Sequence, residues 1–315
     1  MKILVTGGAG FIGANLCRAL AERHDVIVLD DLSTGRPANL GPVDVDLQVG
    51  SVLDPSVLRR ACRGVAAIVH LAAVPSVPRS LEDPRRSHDT NVTGTVAVLD
   101  AARDVGAHVV LASSSSVYGR NPVLPKAEGL VCRPSSPYAV SKLAAESYAA
   151  AYRTSFGLET IAFRFFNVFG PLQAPDHAYA AVIPAFASAA LRGLPLTVHG
   201  DGTQTRDFTY VDTVVRVLAQ AVTGRTTSET PVNLAFGTRT SLNDLVRLLE
   251  EELGHRLKVR YRPPRRGDVQ HSQACPDTLR SLFPAISPVP LRPGLRRTLS
   301  WLRNTVAMPD QEVLA

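Results

Sequence analysis

The sequence predicts an α/β fold in which a doubly wound parallel sheet precedes a smaller region of mixed structure. Three observations carry this prediction: strand-like apolar runs alternate with helical segments, a glycine-rich turn follows the first run, and proline and glycine punctuate the chain after Gly170. Alternating strands and helices are typical of βαβ units, which build parallel sheets. At 315 residues the chain is long enough to bury a full α/β core.

The predicted elements follow one another in a regular order along the chain. Strand-like runs cover residues 2–5, 26–29, 45–49, 66–70, 109–112 and 160–163. Helical patterns cover residues 85–105, 141–154, 212–223 and 241–252, and the last begins with Ser241 and Asp244 at the spacing of a capping box. We therefore predict a first domain over residues 1–168, to which segments near 208–236 return, and a smaller mixed α/β domain over residues 169–315.

The glycine-rich turn TGGAGFIG, from Thr6 to Gly13, has the features of a dinucleotide-binding turn. Gly7 permits a tight turn with positive φ, Gly10 lets the backbone approach a pyrophosphate, and Gly13 lets the following helix pack closely on the sheet. A pyrophosphate there would lie at a helix N-terminus, where free amides and the helix dipole favour negative charge. The strand before the turn and the helix after it make a glycine loop without a ligand the weaker interpretation.

An acidic residue after the second strand-like run indicates which cofactor the turn binds. Asp30 follows the run VIVL, close to the distance from the glycines at which an acid contacts the adenosine ribose. A carboxylate there accepts a hydrogen bond from the 2′-hydroxyl and repels a 2′-phosphate. The sequence therefore predicts NAD rather than NADP.

Cysteine and histidine usage predicts no metal site. Cys17, Cys62, Cys132 and Cys275 are far apart and form no CxxC pair, and the eight histidines are scattered. This pattern is typical of reduced, mostly buried thiols, so we expect a cytoplasmic protein without a disulfide framework. The opening residues lack the pattern of a signal peptide and no segment is apolar for the length of a bilayer, so we expect no membrane partner.

The charge of the chain favours a small anionic ligand over nucleic acid. The formal net charge is +6, and arginine is dense between Arg256 and Arg303. No aromatic stacking platform or helix-turn-helix pattern accompanies these arginines. We therefore expect a solvated face with a few arginines for a diphosphate, and no nucleic-acid partner.

Tyr138 and Lys142, in YAVSK, are four residues apart at the start of a helical segment, which places both side chains on one helix face. An ammonium beside a phenol stabilises the phenolate and lowers the pKa of the tyrosine, as a general base requires. Upstream, the run 109–112 ends in Ser113–Ser116, at the strand end where catalytic groups lie in an open parallel sheet. A solvated tyrosine and lysine would be the default interpretation, but the glycine turn and Asp30 in the same chain favour a catalytic set.

Together these motifs resemble those of the extended short-chain dehydrogenase/reductases that act on nucleotide sugars. The resemblance extends from Met1 to about Arg303 and includes HLAAVPSVPRS (70–80), TNVTGT (90–95), ASSSSVYG (112–119), SPYAVSK (136–142), RFFNVFGP (164–171), GDGTQTRDFTYVD (200–212) and RRGDVQHSQA (265–274). Within the family, SVPRS, AYAAVIP, TSLNDL and GDVQHSQA are most similar to UDP-N-acetylglucosamine 4-epimerases. The resemblance implies a Rossmann NAD-binding domain and a C-terminal UDP-sugar domain.

The activity implied by the resemblance is epimerisation of a UDP-hexose at C4. UDP-N-acetylglucosamine and UDP-N-acetylgalactosamine are the expected substrates, with UDP-glucose and UDP-galactose beside them. By the same resemblance, NAD would serve as acceptor and then donor of the C4 hydride and would be recycled. The resemblance makes Tyr138 the base, Ser114 the residue that binds O4, and Lys142 the residue that assists Tyr138 and holds the nicotinamide ribose.

The same resemblance implies two sets of binding residues. The cofactor set is Gly7, Gly10, Phe11, Ile12, Asp30, Asp31, Ser51, Val52, Leu71, Ala72, Ala73, Asn91, Tyr138 and Lys142. The substrate set is Arg79, Ser115, Ser116, Asn167, Val182, Arg206, Arg265, Asp268 and Ser272. Asn167 would contact the diphosphate-sugar, and Asp268 would face the nucleoside ribose. Arg206 and Arg265 would clamp the diphosphate with planar guanidinium groups.

The chain departs from the family pattern at three positions. Ser51 stands where many relatives have an acid that contacts the adenine amine, which leaves the tightness of NAD retention open. Galactose-type relatives often have a lysine near Pro75 that touches phosphate, and this chain has none. Cys275 replaces the usual aspartate after Ala274.

Two other functions remain open at this point. A sugar-nucleotide 4,6-dehydratase or decarboxylase shares the first oxidation step, but a dehydratase needs an Asp-Glu pair where Ser115 and Ser116 stand. Asn167 and Ala174 disfavour a glucuronate sugar, since glucuronate-specific relatives tend to carry threonine and arginine there. A non-catalytic NAD-binding protein is the remote alternative, and the intact catalytic set argues against it.

Ser272 is the expected determinant of sugar specificity. In glucose- and galactose-restricted relatives the matching position holds a bulky tyrosine, whereas it is small in relatives that accept N-acetylated sugars. A serine leaves room for the acetamido group. The alternative is a loop hydroxyl that caps a backbone group.

The resemblance also implies a homodimer, because family members commonly pair through the helices that match residues 85–105 and 141–154. The second helix carries small side chains that let two helices approach closely: Ala144, Ala145, Ala149, Ala150 and Ala151. Packing within the chain explains these alanines equally well.

Overall fold

The structure is a computed structural model that describes residues 1–175, 180–264 and 269–306. Its strands are β1 (Lys2–Thr6), β2 (Asp25–Asp30), β3 (Asp46–Val49), β4 (Ala67–His70), β5 (His108–Ser114), β6 (Thr160–Phe165), β7 (Val168–Phe169), β8 (Leu196–His199), β9 (Thr205–Arg206), β10 (Thr209–Tyr210), β11 (Val232–Leu234), β12 (Thr240–Ser241) and β13 (Val259–Arg262). Its helices are α1 (Phe11–Leu20), α2 (Pro55–Ala61), α3 (Val77–Glu82), α4 (Pro84–His88), α5 (Gly94–Val105), α6 (Pro137–Phe156), α7 (Val182–Leu191), α8 (Val211–Thr223), α9 (Leu242–Leu253), α10 (Asp277–Leu282) and α11 (Leu291–Val306). Within these described ranges, no helix has both the length and the apolar character that a membrane span needs.

Seven strands form one parallel sheet in the spatial order β11, β6, β5, β4, β1, β2, β3. From β1 the chain builds outwards through β2 to β3 and then crosses back to β4, so the direction of winding reverses between β1 and β4. This arrangement confirms the predicted doubly wound sheet. Ligands of such sheets bind at the carboxyl ends of the strands, beside the reversal.

Alternate residues of β1 face two separate layers of helices. Ile3 and Val5 pack in a core with α1 and α8, whereas Leu4 packs in another with α2 and α5. All three side chains are fully buried. A strand covered on both faces reads as a continuous apolar run rather than as an alternation, which is the pattern of the first strand in the sequence.

The ends of two helices follow from their terminal residues. α9 begins with the predicted capping box, since the Ser241 hydroxyl accepts a hydrogen bond from the Asp244 amide at 3.0 Å and the Asp244 carboxylate accepts one from the Ser241 amide at 3.4 Å. α6 is longer than predicted because Ser136 caps its start, Pro137 occupies its first position and Gly157 ends it in a left-handed conformation. The predicted helix 85–105 is α4, a π-helical turn (Asp89–Thr93) and α5 in succession.

The second half of the chain is divided between the sheet and smaller pairs of strands. β11 extends the sheet beside β6, and α8 packs against β4 and β5. β8 pairs with β13, and β9 pairs with β12. α7, α9 and α11 add Phe186, Leu249 and Leu299 to the core that α1 and α8 form. The boundary between two domains stays a prediction.

Candidate active site

A cavity of about 280 Å³ lies at the carboxyl ends of the strands where the winding reverses, and it is here named the first cavity. All the predicted cofactor residues except Asn91 line it, together with Ser114: Gly7, Gly10, Phe11, Ile12, Asp30, Asp31, Ser51, Val52, Leu71, Ala72, Ala73, Tyr138 and Lys142. Residues far apart in the chain therefore meet at one edge of the sheet, because the carboxyl ends of parallel strands share that edge.

The glycine turn between β1 and α1 forms one wall of the first cavity. Gly7 has a φ of +71°, and a Cβ atom there would lie 2.7 Å from the Ala72 amide nitrogen. A Cβ atom on Gly13 would lie 2.3 Å from the Gly7 carbonyl oxygen, so only glycine lets α1 start this close to the strand. Gly10 caps α1 without a capping side chain, which leaves the first helical amides available to an anion. This wall fits a pyrophosphate.

The Asp30 carboxylate lies at the end of β2 in an orientation that suits a ribose. Its two oxygens accept hydrogen bonds from the Leu32 and Ala9 amides, each at 2.9 Å. Burial raises the pKa of Asp30, and these two amides oppose that rise. Each oxygen keeps a lone pair for a ribose hydroxyl. Because Asp31 lines the same cavity, a 2′-phosphate would face two carboxyl groups, which fits NAD.

Asn91 is the one predicted cofactor residue that does not line the first cavity. Its side chain is 1% exposed, accepts a hydrogen bond from the Val74 amide at 2.8 Å and donates one to the Ser141 hydroxyl at 3.0 Å. It thereby ties the segment after β4 to α6. Direct contact between Asn91 and the cofactor stays a prediction.

Tyr138 and Ser114 meet at one end of the first cavity. Ser114 is the last residue of β5, and Tyr138 lies in the first turn of α6. Burial raises the pKa of the Tyr138 phenol, and a hydrogen bond with the Ser114 side chain lowers it. Ser116 donates to the Ser114 oxygen through its amide at 3.2 Å and through its hydroxyl at 2.9 Å. The Ser114 proton is therefore available to Tyr138 or to a ligand.

Lys142 lies one turn after Tyr138, and its ammonium donates to the Ala112 carbonyl oxygen at 2.9 Å. Burial lowers the pKa of Lys142 to about 8, while the Glu146 carboxylate raises it. We expected Lys142 to lower the pKa of Tyr138, but in this structure the pKa of Tyr138 is raised. Burial and the Ser114 bond are the influences on the phenol, and burial is the larger, so its pKa lies above the ordinary value.

A buried ion pair lies behind this strand end. Arg164, on β6, donates to the two carboxylate oxygens of Glu146 at 2.9 and 2.8 Å, and both side chains are 4% exposed. Ser113 donates to the same carboxylate. Because Ser113 precedes Ser114 and Glu146 follows Lys142 by one helical turn, the pair holds β5, β6 and α6 in fixed positions beneath the site.

A second cavity, of about 260 Å³, brings together three predicted substrate residues, Asn167, Val182 and Arg206. Phe165 lines the first cavity and Asn167 lines the second, so the short segment after β6 connects the two. The Arg206 guanidinium donates to the carbonyl oxygens of Thr205 at 2.9 Å and Gln270 at 3.3 Å. These bonds orient a permanently charged fork at the cavity, as binding of a diphosphate requires.

None of the other predicted substrate residues that the structure describes lines either cavity. Arg265 and Asp268 lie outside the described residues. Arg79, Ser115 and Ser116 follow lining residues closely in the sequence, Pro75 in the first case and Ser114 in the other two. None of the three forms part of the lining of the first cavity. The Ser272 amide donates to the Thr205 carbonyl at 3.0 Å, which holds Ser272 next to the strand that carries Arg206. Their contacts with substrate stay predictions.

Several lining residues were not found from the sequence. Arg86 and Thr90 line the first cavity, and His199 and Gln204 line the second. Arg86 and Thr90 are four residues apart, which is the spacing of side chains on one helix face. This spacing was the signal from which their common position at the cavity could have been predicted. His199 and Gln204 lie on either side of a turn, where no periodicity exists.

Comparisons with known proteins agree with this geometry. The model of the NAD dependent epimerase/dehydratase family matches residues 3–235. A UDP-glucose 4-epimerase of Mycolicibacterium smegmatis is 36% identical over 312 residues, which cover 96% of this chain and 99% of the relative. The solved UDP-N-acetylglucosamine 4-epimerase from Methanobrevibacter ruminantium, in complex with UDP-N-acetylmuramic acid, has a TM-score of 0.92 at 33% identity and covers 96% of this chain and 98% of its own. A dTDP-glucose 4,6-dehydratase from Streptomyces venezuelae, with NAD and TYD bound, has a TM-score of 0.88 at 33% identity and covers 98% of both chains.

Proposed function

Because this chain belongs to the NAD-dependent epimerase/dehydratase family, we propose that it interconverts UDP-N-acetylglucosamine and UDP-N-acetylgalactosamine by inversion at C4. UDP-glucose and UDP-galactose are further substrates in this proposal, and NAD is the cofactor. The observation that carries the proposal is the convergence of Ser114, Tyr138 and Lys142 at the end of a cavity that fits a dinucleotide. The second cavity is the proposed binding site of the nucleotide diphosphate. Asn167, which lines it, follows Phe165 of the first cavity by two residues.

Tyr138 is the residue that moves the proton at O4 of the sugar. Burial raises the pKa of its phenol, so its phenolate, once formed, is a strong base for a sugar hydroxyl. Ser114 donates a hydrogen bond to O4 and holds it beside the phenol oxygen. NAD, when bound, supplies the acceptor and donor of the C4 hydride. Lys142 uses one N–H on the Ala112 carbonyl and keeps two for the nicotinamide ribose.

Inversion requires the sugar to present its other face between the two hydride transfers. Arg206 and Asn167 would hold the diphosphate in the second cavity, away from the reacting carbon. The bonds between phosphate and sugar are then free to rotate while the nucleotide stays bound. Only the sugar ring would turn, so both half-reactions would use the same Tyr138.

Ser272 supports the assignment of N-acetylated sugars. Its amide donates to the carbonyl of Thr205, one residue before Arg206, so the Ser272 backbone lies beside the strand that carries the proposed diphosphate clamp. A serine hydroxyl occupies little volume and leaves room for an acetamido group at C2. A bulky ring at this position would collide with that substituent, because steric exclusion discriminates between otherwise identical ligands.

The test is a substrate panel with the purified protein. UDP-N-acetylglucosamine, UDP-glucose and UDP-glucuronate are supplied separately, and the product sugars are separated and identified. We expect conversion of the first two. Ser272→Tyr is expected to lose activity on UDP-N-acetylglucosamine and to keep it on UDP-glucose, while the control Ser272→Ala keeps both. Equal losses on both sugars in Ser272→Tyr would contradict the role of Ser272, and no epimer from any UDP-hexose would contradict the activity.

A 4,6-dehydratase is the second candidate, because a solved dehydratase is similar over nearly the whole chain. Ser115 and Ser116 stand where the carboxylate pair for elimination is expected, and hydroxyl groups cannot replace a carboxylate acid and base at neutral pH. The same product analysis separates the two functions. A 4-keto-6-deoxy sugar would establish elimination, and a C4 epimer would exclude it as the main reaction.

The proposed assembly is a homodimer that pairs through α5 and α6. Val140, Ala144 and Tyr148 share one face of α6, and Val140 and Tyr148 are 53% and 42% exposed. Ala145 and Ala149 are buried in the core of their own chain, so these two alanines serve internal packing. Light scattering at micromolar concentration is expected to give a dimer mass in the wild type and a monomer mass in Tyr148→Glu. A monomeric wild type would contradict the assembly.

A further inference from the structure

Arg86 lines the first cavity, although no sequence motif includes it. It lies in α4, four residues before Thr90, which lines the same cavity. Among the residues that the structure describes, the Arg86 guanidinium has no hydrogen-bond or ion-pair partner. A charged fork that is free at the wall of a cavity is available to an anion inside it.

The position of α4 brings Arg86 to the same cavity that the glycine turn lines. Asn91, three residues after α4 ends, accepts a hydrogen bond from the Val74 amide at 2.8 Å. The segment that contains Val74 also touches the turn, since a Cβ atom on Gly7 would lie 2.7 Å from the Ala72 amide nitrogen. Arg86 and the start of α1 therefore line one cavity, and the segment that follows β4 approaches both the glycine turn and the residues that follow α4.

Within the described part of the chain, two cations line the first cavity, and one of them lies at its catalytic end. Asp30 and Asp31 are the acidic lining residues, and Lys142 and Arg86 are the basic ones. Lys142 donates to Ala112 beside Tyr138, at the catalytic end. The segment after β4 contributes Ala73, Val74 and Pro75 to the wall, and none of these carries a charge. Among the described lining residues, Arg86 is therefore the cation that remains, beside the helical amides of α1, to neutralise two phosphate charges.

We propose that Arg86 is the counter-charge for the NAD pyrophosphate, reaching from α4 over the phosphates that the start of α1 binds. The proposal rests on NAD binding and not on the sugar substrate. Asp30 and Asp31 argue against a 2′-phosphate as the anion, because two carboxylates would repel it. Stacking of the guanidinium on adenine is the competing arrangement, and it requires no phosphate.

The experiment measures binding of NAD, ADP and adenosine to protein from which the cofactor has been removed, by calorimetry at two salt concentrations. In Arg86→Gln we expect NAD and ADP to bind roughly 5- to 50-fold more weakly, with a smaller dependence on salt, and adenosine to bind as in the wild type. The matched control is Arg85→Gln, which removes the same charge from the same helix at a residue that does not line the cavity. Arg86→Lys is expected to recover part of the affinity.

Three outcomes would overturn the proposal. Unchanged NAD affinity in Arg86→Gln would show that the phosphates need no such cation. An equal loss for adenosine would place the guanidinium on the base instead. Equal losses in Arg85→Gln would reduce the effect to general electrostatics. Because no sugar nucleotide enters the assay, failure of the proposed epimerase activity would leave these binding results unchanged, and melting temperatures of the variants identify any that fail to fold.

Discussion

The first and second cavities are built in different ways. Much of the wall of the first is formed by strand ends from one sheet, a glycine turn and the start of α1, with side chains from α4 and α6 added. The second is lined by side chains from separate elements, such as Asn167 after β6, Val182 at the start of α7 and Arg206 in β9. A cofactor in the first would be held largely by backbone geometry, and a substrate in the second by exchangeable side chains. Substitutions should therefore affect cofactor retention and substrate binding separately.

The largest expected effect is at the end of the first cavity, where chemistry and binding should separate. Tyr138→Phe removes only the oxygen that moves the O4 proton, so we expect turnover to fall by roughly 1,000-fold. NAD content and affinity for UDP should stay close to those of the wild type. Single-turnover assays with calorimetry of both ligands measure this, and residual activity above a few per cent would contradict the assignment of Tyr138 as base.

The next effect tests the second cavity alone. Arg206→Gln removes a charged donor from the proposed diphosphate clamp, and we expect UDP to bind roughly 10- to 100-fold more weakly. NAD affinity should not change. Arg239→Gln is the matched control. The Arg239 guanidinium also contacts Thr205, because its Nε donates to the Thr205 hydroxyl at 3.2 Å, but Arg239 lines neither cavity. A loss of NAD affinity in Arg206→Gln would show that the two cavities are coupled.

The reverse test disturbs the backbone wall of the first cavity. In Gly13→Ala the new Cβ atom would lie 2.3 Å from the Gly7 carbonyl oxygen, so α1 must move. We expect the free energy of unfolding to fall by about 1–3 kcal/mol and NAD affinity to fall with it. Gly129→Ala, at a site with no heavy atom within 4 Å of the new Cβ atom, should behave as the wild type. If the affinity for UDP fell as much as the affinity for NAD in Gly13→Ala, the two cavities would not bind their ligands independently.

A smaller effect concerns the support of the first cavity. His70, at the end of β4, is hydrogen-bonded to Thr6 at 2.7 Å and Thr95 at 3.1 Å, and burial lowers its pKa to about 3. An unfolded histidine takes a proton below about pH 6.5, whereas the folded one does so only near 3, so stability falls as pH falls through this window. His70→Gln should reduce that slope by about 1.4 kcal/mol per pH unit. Urea unfolding at pH 5.5 and 4.5 measures it, and an unchanged slope would contradict the buried neutral histidine.

The smallest expected effect is a shift in a pH profile. The Ser114 hydrogen bond lowers the pKa of Tyr138, so Ser114→Ala should raise it. Since the deprotonated phenol is the active base, the acid limb of the kcat profile should move to higher pH, by roughly half to one unit. A shift to lower pH would mean that Ser114 stabilises the neutral phenol instead.

Local sequence carried much of this architecture. The glycine turn, Asp30 and the YAVSK pair each lie within a few residues, and backbone constraints tie such spacings to one geometry. For that reason the first six strands, the doubly wound sheet and the glycine turn, Asp30, Tyr138 and Lys142 in the lining of the first cavity were predictable, whereas the other predicted cofactor residues came from the resemblance to a known family. The resemblance to a known family named Asn167, Val182 and Arg206, which the structure brings together in the second cavity.

Other properties arise only from contacts between distant segments. The sequence determined that Tyr138 and Lys142 share a helix face, but the packing of α6 on β5 decided that burial raises the pKa of the phenol. Packing likewise placed Asn91 behind the wall, joined Arg164 to Glu146 and brought Arg86 to the first cavity. Desolvation and ion pairing depend on which atoms surround a group, and those neighbours are set by the folded chain rather than by spacing along it.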